Sequence, residues 1–217
     1  MQHQAPDFDI LYEDEAIVVI DKPAGAIVHS APGHETGALA DALAARFPQM
    51  ARVGSPERPG VVHRLDVETS GVMVFAKTQT AYLDLRRQFE SHRTVAKTYL
   101  AVVHGSPKPA AGTIDEPVGR SRLSAVTHWR TLGRHDGVSL VEFKIDTGRM
   151  HQIRIHAAAL GCPIVGDRTY GSAEKDRRRR PRPSRQLLHA VGLSFLHPVT
   201  RRRVTFAAPP PGDIVYA

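Results

Sequence analysis

The order of short apolar segments is the feature that most limits the folds open to this chain of 217 residues. Segments rich in Val, Ile, Thr and Tyr recur along it, and no regular alternation of strand and helix connects them. We predict strands at 10–12, 17–20, 72–76, 97–103, 125–132, 138–146, 187–192 and 203–206. This order predicts an α+β protein built on a mostly antiparallel mixed sheet.

Predicted helices cover 37–47, 78–90 and 151–160. In the first, Leu39, Leu43 and Phe47 recur every four residues and form one apolar stripe. Thr78 is a candidate N-cap of the second helix. The segment 107–124 is rich in Pro, Gly and Arg, and we interpret it as a long connection that could touch a ligand.

One carboxylate, Asp66, lies in a turn-prone segment between two apolar runs. Arg64 precedes it by two residues, and two hydroxyl side chains and a glycine follow at 69–71. Strand ends are places where a rigid scaffold can present a reactive side chain, so Asp66 is a candidate reactive group. The alternative is a hairpin whose aspartate bonds its own turn backbone.

Several segments resemble the motifs of one enzyme family. Residues 63–71 read His-Arg-Leu-Asp-Val-Glu-Thr-Ser-Gly, which resembles the H-R-L-D-x-x-T-S-G signature of the RluA family of pseudouridine synthases. Residues 147–156 are similar to that family's G-R-x-H-Q-I-R-x-H segment, and residues 97–103 to its K-x-Y-x-A-x-V strand. Shorter matches lie at 21–25 and 188–190. Because five matches follow the family's order, the chain is identified as a member.

The resemblance implies a pseudouridine synthase fold, in which helices flank a bent sheet and an active cleft crosses its middle. We expect residues 1–217 to form a single catalytic domain. Since the first predicted strand begins near residue 10, we expect no separate N-terminal RNA-binding domain. Turning uridine into pseudouridine involves no redox change and no net hydrolysis, so we expect no cofactor and no metal.

Three catalytic roles follow from the resemblance. It implies that Asp66 is the nucleophile, acting at C1′ of the ribose or through a glycal. It gives Arg154 the role of a guanidinium that stabilises the charged carboxylate, the alternative being a solvated surface arginine. It implies that Tyr99 stacks on the uracil and accepts its proton. A phenol is a weak base, so we favour the stacking role, and a core aromatic is the alternative.

The same resemblance implies that Arg64, His63, Arg149 and His151 bind the substrate. Arg64 would fill the space left by the flipped uridine, or hold the phosphate of the flipped nucleotide. For His63, a structural role in bonding the turn backbone is an equal alternative.

The charge balance favours a nucleic acid partner. The formal net charge is +7, and arginines cluster at 177–180 and 201–203. Phosphate neutralisation by such clusters drives association with RNA. We therefore expect an RNA partner, a stem-loop of ribosomal or transfer RNA. The segment 173–186 is interpreted as a basic Arg/Pro-rich loop, and a solvated, partly disordered loop is the alternative.

Other properties narrow the class of protein. Cys162 is the single cysteine, which excludes an intramolecular disulfide and a multi-cysteine metal cage. His151 and His156 do not have the i, i+4 spacing of a helical metal pair. The sequence contains no long apolar stretch or signal peptide, so we expect a soluble cytoplasmic protein with no membrane contact. Nothing demands a second subunit, and we expect a monomer.

Two rival functions remain open on the residues alone. The first is a non-catalytic RNA-binding or ribosome-assembly factor on the same fold, which would bind RNA without isomerising it. The second is a hydrolytic glycosylase, which would release free uracil. The presence of Asp66, Tyr99 and Arg154 together argues against the first, because binding alone needs no carboxylate facing RNA phosphates.

Overall fold

The computed structural model describes residues 7–30, 37–119, 121–215 and 217. The fold class is α+β, as the sequence predicts. The strands are β1 (Asp9–Glu13), β2 (Ile17–Lys22), β3 (Gly54–Ser55), β4 (Arg58–Pro59), β5 (Ser70–Ala76), β6 (Ala96–His104), β7 (Ala111–Asp115), β8 (Val126–His135), β9 (Val138–Ile145), β10 (Leu188–Leu196) and β11 (Arg203–Ala207). The helices are α1 (Leu39–Arg46), α2 (Gln79–Ser91), α3 (Gln152–Ala159), α4 (Ala173–Arg178) and α5 (Gly212–Val215), with a 3-10 helix at Pro48–Arg52.

The described residues divide into two compact units. The first contains the chain up to Val95 together with Gly192–Ala208, and the second contains Ala96–Val191 and the residues from Pro209 onward. The strand β10 therefore contributes residues to both units.

In the first unit, β2 pairs antiparallel with both β1 and β5, and the Gly192–Leu196 part of β10 pairs antiparallel with β11. All seven residues of β5 are buried, which explains why its sequence is a continuous apolar run rather than an alternating one. The helix α2 begins where predicted, because the Thr78 hydroxyl accepts a hydrogen bond from the Ala81 amide at 3.2 Å. Its Leu85 and Phe89 pack into the same core as Val74 and Phe195.

In the second unit, four antiparallel strands follow the order β6-β9-β8-β7. A core cluster forms from Val102, Val138, Val165, Leu187 and Ile214. The predicted strands at 97–103 and 138–146 correspond closely to β6 and β9.

The segment 107–124, which we interpret as a long connection, contains a strand that the sequence did not predict. Residues Ala111–Asp115 form β7, which pairs with β8 in a register that sets Gly112 against Trp129. A side chain at Gly112 would collide with the indole, since an ideal Cβ would lie 2.6 Å from Trp129. The strand was missed because its sequence, Ala-Gly-Thr-Ile-Asp, is short and three of its five residues, Ala, Gly and Asp, are depleted in strands.

Two further findings bear on the expectations above. The basic segment 173–186 opens with a helix, α4, whose N-cap is Ser172. Within the described ranges, no helix is long and apolar enough to cross a membrane.

Candidate active site

The predicted site residues divide between the two units. His63, Arg64 and Asp66 lie in the first unit, whereas Tyr99 and the three predicted residues of segment 149–154 lie in the second.

Asp66 is half-buried in a turn that directly precedes β5. Its backbone carbonyl accepts a hydrogen bond from the Thr69 amide at 3.0 Å, which closes the turn. The carbonyl of Val67 accepts from the Gly25 amide at 2.9 Å. Gly25 has φ +85°, a conformation that glycine adopts without strain. The turn is therefore fixed by backbone bonds within itself and to the segment after β2.

A fully buried lysine supports this turn from β2. Lys22 has 0% exposure, and its Nζ donates to the carbonyls of Val67 and Thr69 at 2.8 Å and of Pro23 at 3.0 Å. The ammonium thus donates to three loop carbonyls, of which that of Val67 also accepts from the Gly25 amide and that of Pro23 from the Ala26 amide. Two of these carbonyls, those of Val67 and Thr69, follow Asp66 within three residues. Lys22 therefore positions the loop that presents the carboxylate.

We expect Lys22→Met to lower the free energy of unfolding by about 2–3 kcal/mol, because three buried or partly buried carbonyls then lose a charged donor. Urea unfolding followed by circular dichroism measures this. Lys144→Met, at a lysine whose side chain is 59% exposed, is the control and should change stability little. Equal stability of the two variants would exclude a supporting role for Lys22.

His63 occupies a position that favours the structural alternative. Its Nε2 accepts a hydrogen bond from the Val74 amide at 3.1 Å, and its ring stacks on Phe89 with centroids 4.4 Å apart. The adjacent Arg64 is exposed. The two neighbours thus differ, His63 facing the protein and Arg64 the solvent.

In the second unit, α3 is fixed by two buried polar side chains. Gln152 accepts from the Arg149 amide at 3.0 Å and donates to the carbonyl of Val126 at 2.9 Å. His156 is fully buried, with Nδ1 2.8 Å from the Thr127 hydroxyl and Nε2 3.0 Å from the carbonyl of Glu116. Because both ring nitrogens of His156 bond to protein groups, this residue has no nitrogen to offer a metal.

Arg154 is buried, so the alternative of a solvated surface arginine is wrong. Its exposure is 7%, and its Nε and Nη2 donate to the two carboxylate oxygens of Asp167 at 2.7 and 2.8 Å. Burial alone would raise the pKa of Asp167, but hydrogen bonds from Arg154 and from the amides of Tyr170 and Thr169 outweigh it and hold that pKa below its usual value. This bidentate pair fixes the plane of the guanidinium.

Two glycines shape the loop that carries Asp167. A Cβ on Gly166 would lie 1.9 Å from the carbonyl oxygen of Arg185, and one on Gly171 would lie 2.0 Å from that of Asp167. Neither position can accept a side chain without moving backbone. The loop also presents Tyr170, whose ring centroid lies 5.2 Å from the Arg154 guanidinium.

His151 also meets Tyr170. Its Nδ1 lies 3.2 Å from the Tyr170 hydroxyl. The helix α3 starts at Gln152, one residue later than predicted, and His151 precedes it with φ +56°. His151 and Arg154 are therefore brought together around Tyr170 rather than by a shared helical face.

Tyr99 and Lys97 lie two residues apart on β6, and both are buried, at 8% and 7% exposure. Side chains at i and i+2 of a strand share one face. Tyr99 lies opposite Phe143 of β9. The Lys97 Nζ donates at 3.3 Å to the carbonyl of Thr147, which lies two residues before Arg149 in the motif segment. Arg149 itself is half-buried and donates to the carbonyl of Ser124 at 3.1 Å.

Burial lowers the pKa of Lys97 from 10.5 to about 8, helped by Arg149 and opposed by Asp146. A lowered folded-state pKa means that the unfolded chain binds the proton more tightly than the folded chain. The free energy of unfolding therefore rises as the pH rises from about 8 to 10.5. Below pH 8 the cost of burying the charged ammonium is fully present. We expect Lys97→Met to raise the free energy of unfolding by roughly 1–3 kcal/mol at pH 7, and by less at pH 10. Denaturant unfolding at both pH values measures this gain, and a gain that does not change with pH would contradict the assignment.

Sequence reasoning missed Lys22, Gln152 and Asp167, all of which position the predicted site residues. A signal for Asp167 was present, since Gly-Asp-Arg-Thr-Tyr-Gly at 166–171 places an aspartate between glycines in a loop. For metals, the described part of the chain holds no group of three or more His, Cys, Asp or Glu that could bind an ion.

Comparison with protein families gives one match. Residues 16–159 match the family described as RNA pseudouridylate synthase. This range contains all seven predicted site residues.

Relatives match most of the chain. An uncharacterised RNA pseudouridine synthase of Synechocystis sp. is 44% identical over 94% of this chain, which spans 65% of the length of that relative. The ribosomal large subunit pseudouridine synthase D of Xanthomonas campestris pv. campestris is 43% identical, with 98% of this chain and 70% of the relative covered.

Among solved structures, the human RNA pseudouridylate synthase domain containing 4 is similar, with a TM-score of 0.77 and 28% identity. That alignment covers 95% of this chain and 90% of the human chain.

Proposed function

The chain belongs to the RNA pseudouridylate synthase family, and on that premise we propose that it isomerises specific uridines of structured RNA to pseudouridine. The observation that carries the proposal is the Asp66 turn, fixed by the three hydrogen bonds of buried Lys22. A turn held in this way presents one carboxylate in a fixed place, as nucleophilic catalysis requires.

The proposed reaction conserves every atom of the uridine. The N1–C1′ glycosidic bond breaks, the uracil turns, a C5–C1′ bond forms, and the C5 proton is exchanged for one at N1. Asp66 is the proposed nucleophile. It adds to C1′ as the uracil leaves, or it removes a ribose proton to give a glycal, and both routes return the carboxylate at the end.

Arg154 is the proposed cation that keeps the nucleophilic carboxylate charged while RNA excludes water. Support comes from its rigid placement, because Asp167 fixes its Nε and Nη2 edge. An arginine fixed by a buried partner loses little entropy when it acts on another anion.

Tyr99 is the proposed platform for the detached uracil. Its burial on β6 beside Lys97 gives a rigid ring, and stacking a base on an aromatic ring contributes about 1–3 kcal/mol. We propose that Arg64, which is exposed, either fills the space that the flipped uridine leaves in the base stack or holds the phosphate of the flipped nucleotide. Arg149 and His151 are proposed to contact the RNA as well, and His63 to do so only through the loop it braces.

Tritium release from C5-labelled uridine tests the proposal directly. Labelled large-subunit ribosomal RNA is the first substrate to try, since relatives from Xanthomonas and Zymomonas are named ribosomal large subunit pseudouridine synthase D. Bulk transfer RNA is the second. Release into water with the uracil retained in the RNA would support the synthase. Free uracil would indicate a glycosylase, and binding without release from either pool would favour the non-catalytic factor.

A further inference from the structure

The two arginine clusters of this chain differ in what their side chains bind. We call residues 177–182 the arginine arm, since five of its six residues are arginine. The other cluster is Arg201–Arg203. By sequence the two are equivalent candidates for binding a polyanion.

In the 201–203 cluster, Arg201 and Arg203 bond to groups of their own unit. Arg201 forms an ion pair with Asp84, next to the α2 face that packs on the core. Arg203 donates to the carbonyl of Thr94 at 3.1 Å and to the Ser194 hydroxyl at 3.3 Å. Arg201 therefore has a carboxylate partner whose side chain is only 23% exposed, and Arg203 keeps its charge but is held by two neutral acceptors of its own unit.

The arginine arm is held at both ends by residues outside it. Before the arm, Asp176 lies 2.7 Å from Nε2 of buried His104 and accepts from the Gly166 amide at 3.1 Å. After it, Arg185 is 7% exposed and donates through Nε and Nη2 to Asp213 at 2.7 and 2.8 Å. The arm thus spans two fixed points, which limits the conformations it loses when a ligand binds.

Arg185 belongs by sequence to the same basic segment, but it anchors the arm and does not face solvent. Within the arm, Arg177, Arg178, Arg180 and Arg182 are exposed.

The arm's own charges are weakly neutralised. Among the residues that the structure describes, its ion pair is Arg178 with Glu174, whose side chains are 76% and 67% exposed. Such an exposed i, i+4 pair contributes only about 0.3–0.5 kcal/mol, so a phosphate can replace the carboxylate. Arg179 and Arg180 donate to backbone carbonyls, which leaves their charge intact.

We propose that the arginine arm binds the phosphate backbone of the RNA substrate away from the reacting uridine, and that the 201–203 cluster does not. The inference rests on the proposed function for the identity of the partner. Each phosphate that the arm neutralises adds about 0.7–0.9 to the slope of log affinity against log salt concentration. The arm therefore sets affinity and salt dependence, and leaves the chemical step unchanged.

Two charge-matched triple variants test the inference. One is Arg177→Gln, Arg178→Gln and Arg182→Gln, and the control is Arg201→Gln, Arg202→Gln and Arg203→Gln. Filter binding of large-subunit ribosomal RNA between about 50 and 200 mM salt gives the slope for each. We expect the arm variant to lose about 2 in slope and roughly 10–100-fold in affinity at the lowest salt, and the control to lose less than about 1 in slope.

If the control triple fails to fold, Arg182→Gln against Arg202→Gln gives the same comparison at two exposed positions. Equal losses in both variants would assign the effect to net charge and overturn the inference, as would no loss in the arm variant. Binding is measured without turnover, so it is independent of tritium release. A slope difference without release would reject the synthase and keep the arm as an RNA-binding surface.

Discussion

Asp66→Asn is expected to lower the rate of tritium release at least about 1000-fold and to leave RNA affinity within about threefold. The amide has nearly the shape of the carboxylate, so the turn closed by the Thr69 amide can persist. It lacks the negative charge and the nucleophilic oxygen, and neither route to the cleaved glycosidic bond remains. Single-turnover tritium release and filter binding, made on the same preparation, separate the two quantities.

Glu68→Gln is the matched control, because it makes the same chemical change two residues further along the same turn. We expect it to retain activity within about tenfold, as a substitution outside the reacting groups. Equal losses in both variants would mean that the loop's net charge matters rather than the Asp66 nucleophile. Full activity of Asp66→Asn would contradict the proposed mechanism, because the reaction would then not need the Asp66 carboxylate.

Asp167→Asn is expected to cost about 3–5 kcal/mol of unfolding free energy, because it leaves the buried Arg154 guanidinium without its compensating charge. Catalysis should fall with it, since the guanidinium is then free to leave its plane. The folded-state pKa of Asp167 lies below its usual value, so this contribution is present at neutral pH and is lost as the pH falls through the folded-state pKa. Urea unfolding at pH 7 measures the cost.

Asp213→Asn makes the same change in a second bidentate pair, with Arg185. The Asp213 side chain is 42% exposed, whereas that of Asp167 is fully buried. Water can solvate the Arg185–Asp213 pair in part, so we expect a cost of about 1 kcal/mol there. A cost at Asp213 equal to that at Asp167 would show that burial does not set the importance of the Arg154 pair.

Local patterns in the sequence predicted most of the elements. The apolar run of β5, the alternation of β6 and the Thr78 cap of α2 each depend on neighbours along the chain, and each was found at its predicted place. The strand β7 was missed because what stabilises it is its partner β8, not its own residues. The Asp66 turn was found through a family signature, and physical reasoning alone left it equivalent to an ordinary hairpin.

The residues that position the site could not be found in this way. Lys22 bonds carbonyls 45 and 47 residues away, and Arg154 bonds a carboxylate 13 residues away. Such pairs depend on tertiary structure, and a buried lysine or aspartate has no periodic pattern in the sequence. Sequence reasoning therefore gave Arg154 the Asp66 carboxylate as its partner and did not find Asp167, with which it forms a buried ion pair in the structure.

The bonds of Lys22 tie the Asp66 turn to the β2–β5 ladder. A loop held only by its own turn bonds can open by itself, at little cost, many times in the life of the molecule. Here, opening the turn takes carbonyl acceptors away from the buried Lys22 at the end of β2, so the turn shares the cooperative unit of the strands. The Asp66 turn should therefore be protected from hydrogen exchange much as its sheet is. Substitutions on the surrounding surface can then change which RNA is bound without loosening the turn that holds Asp66.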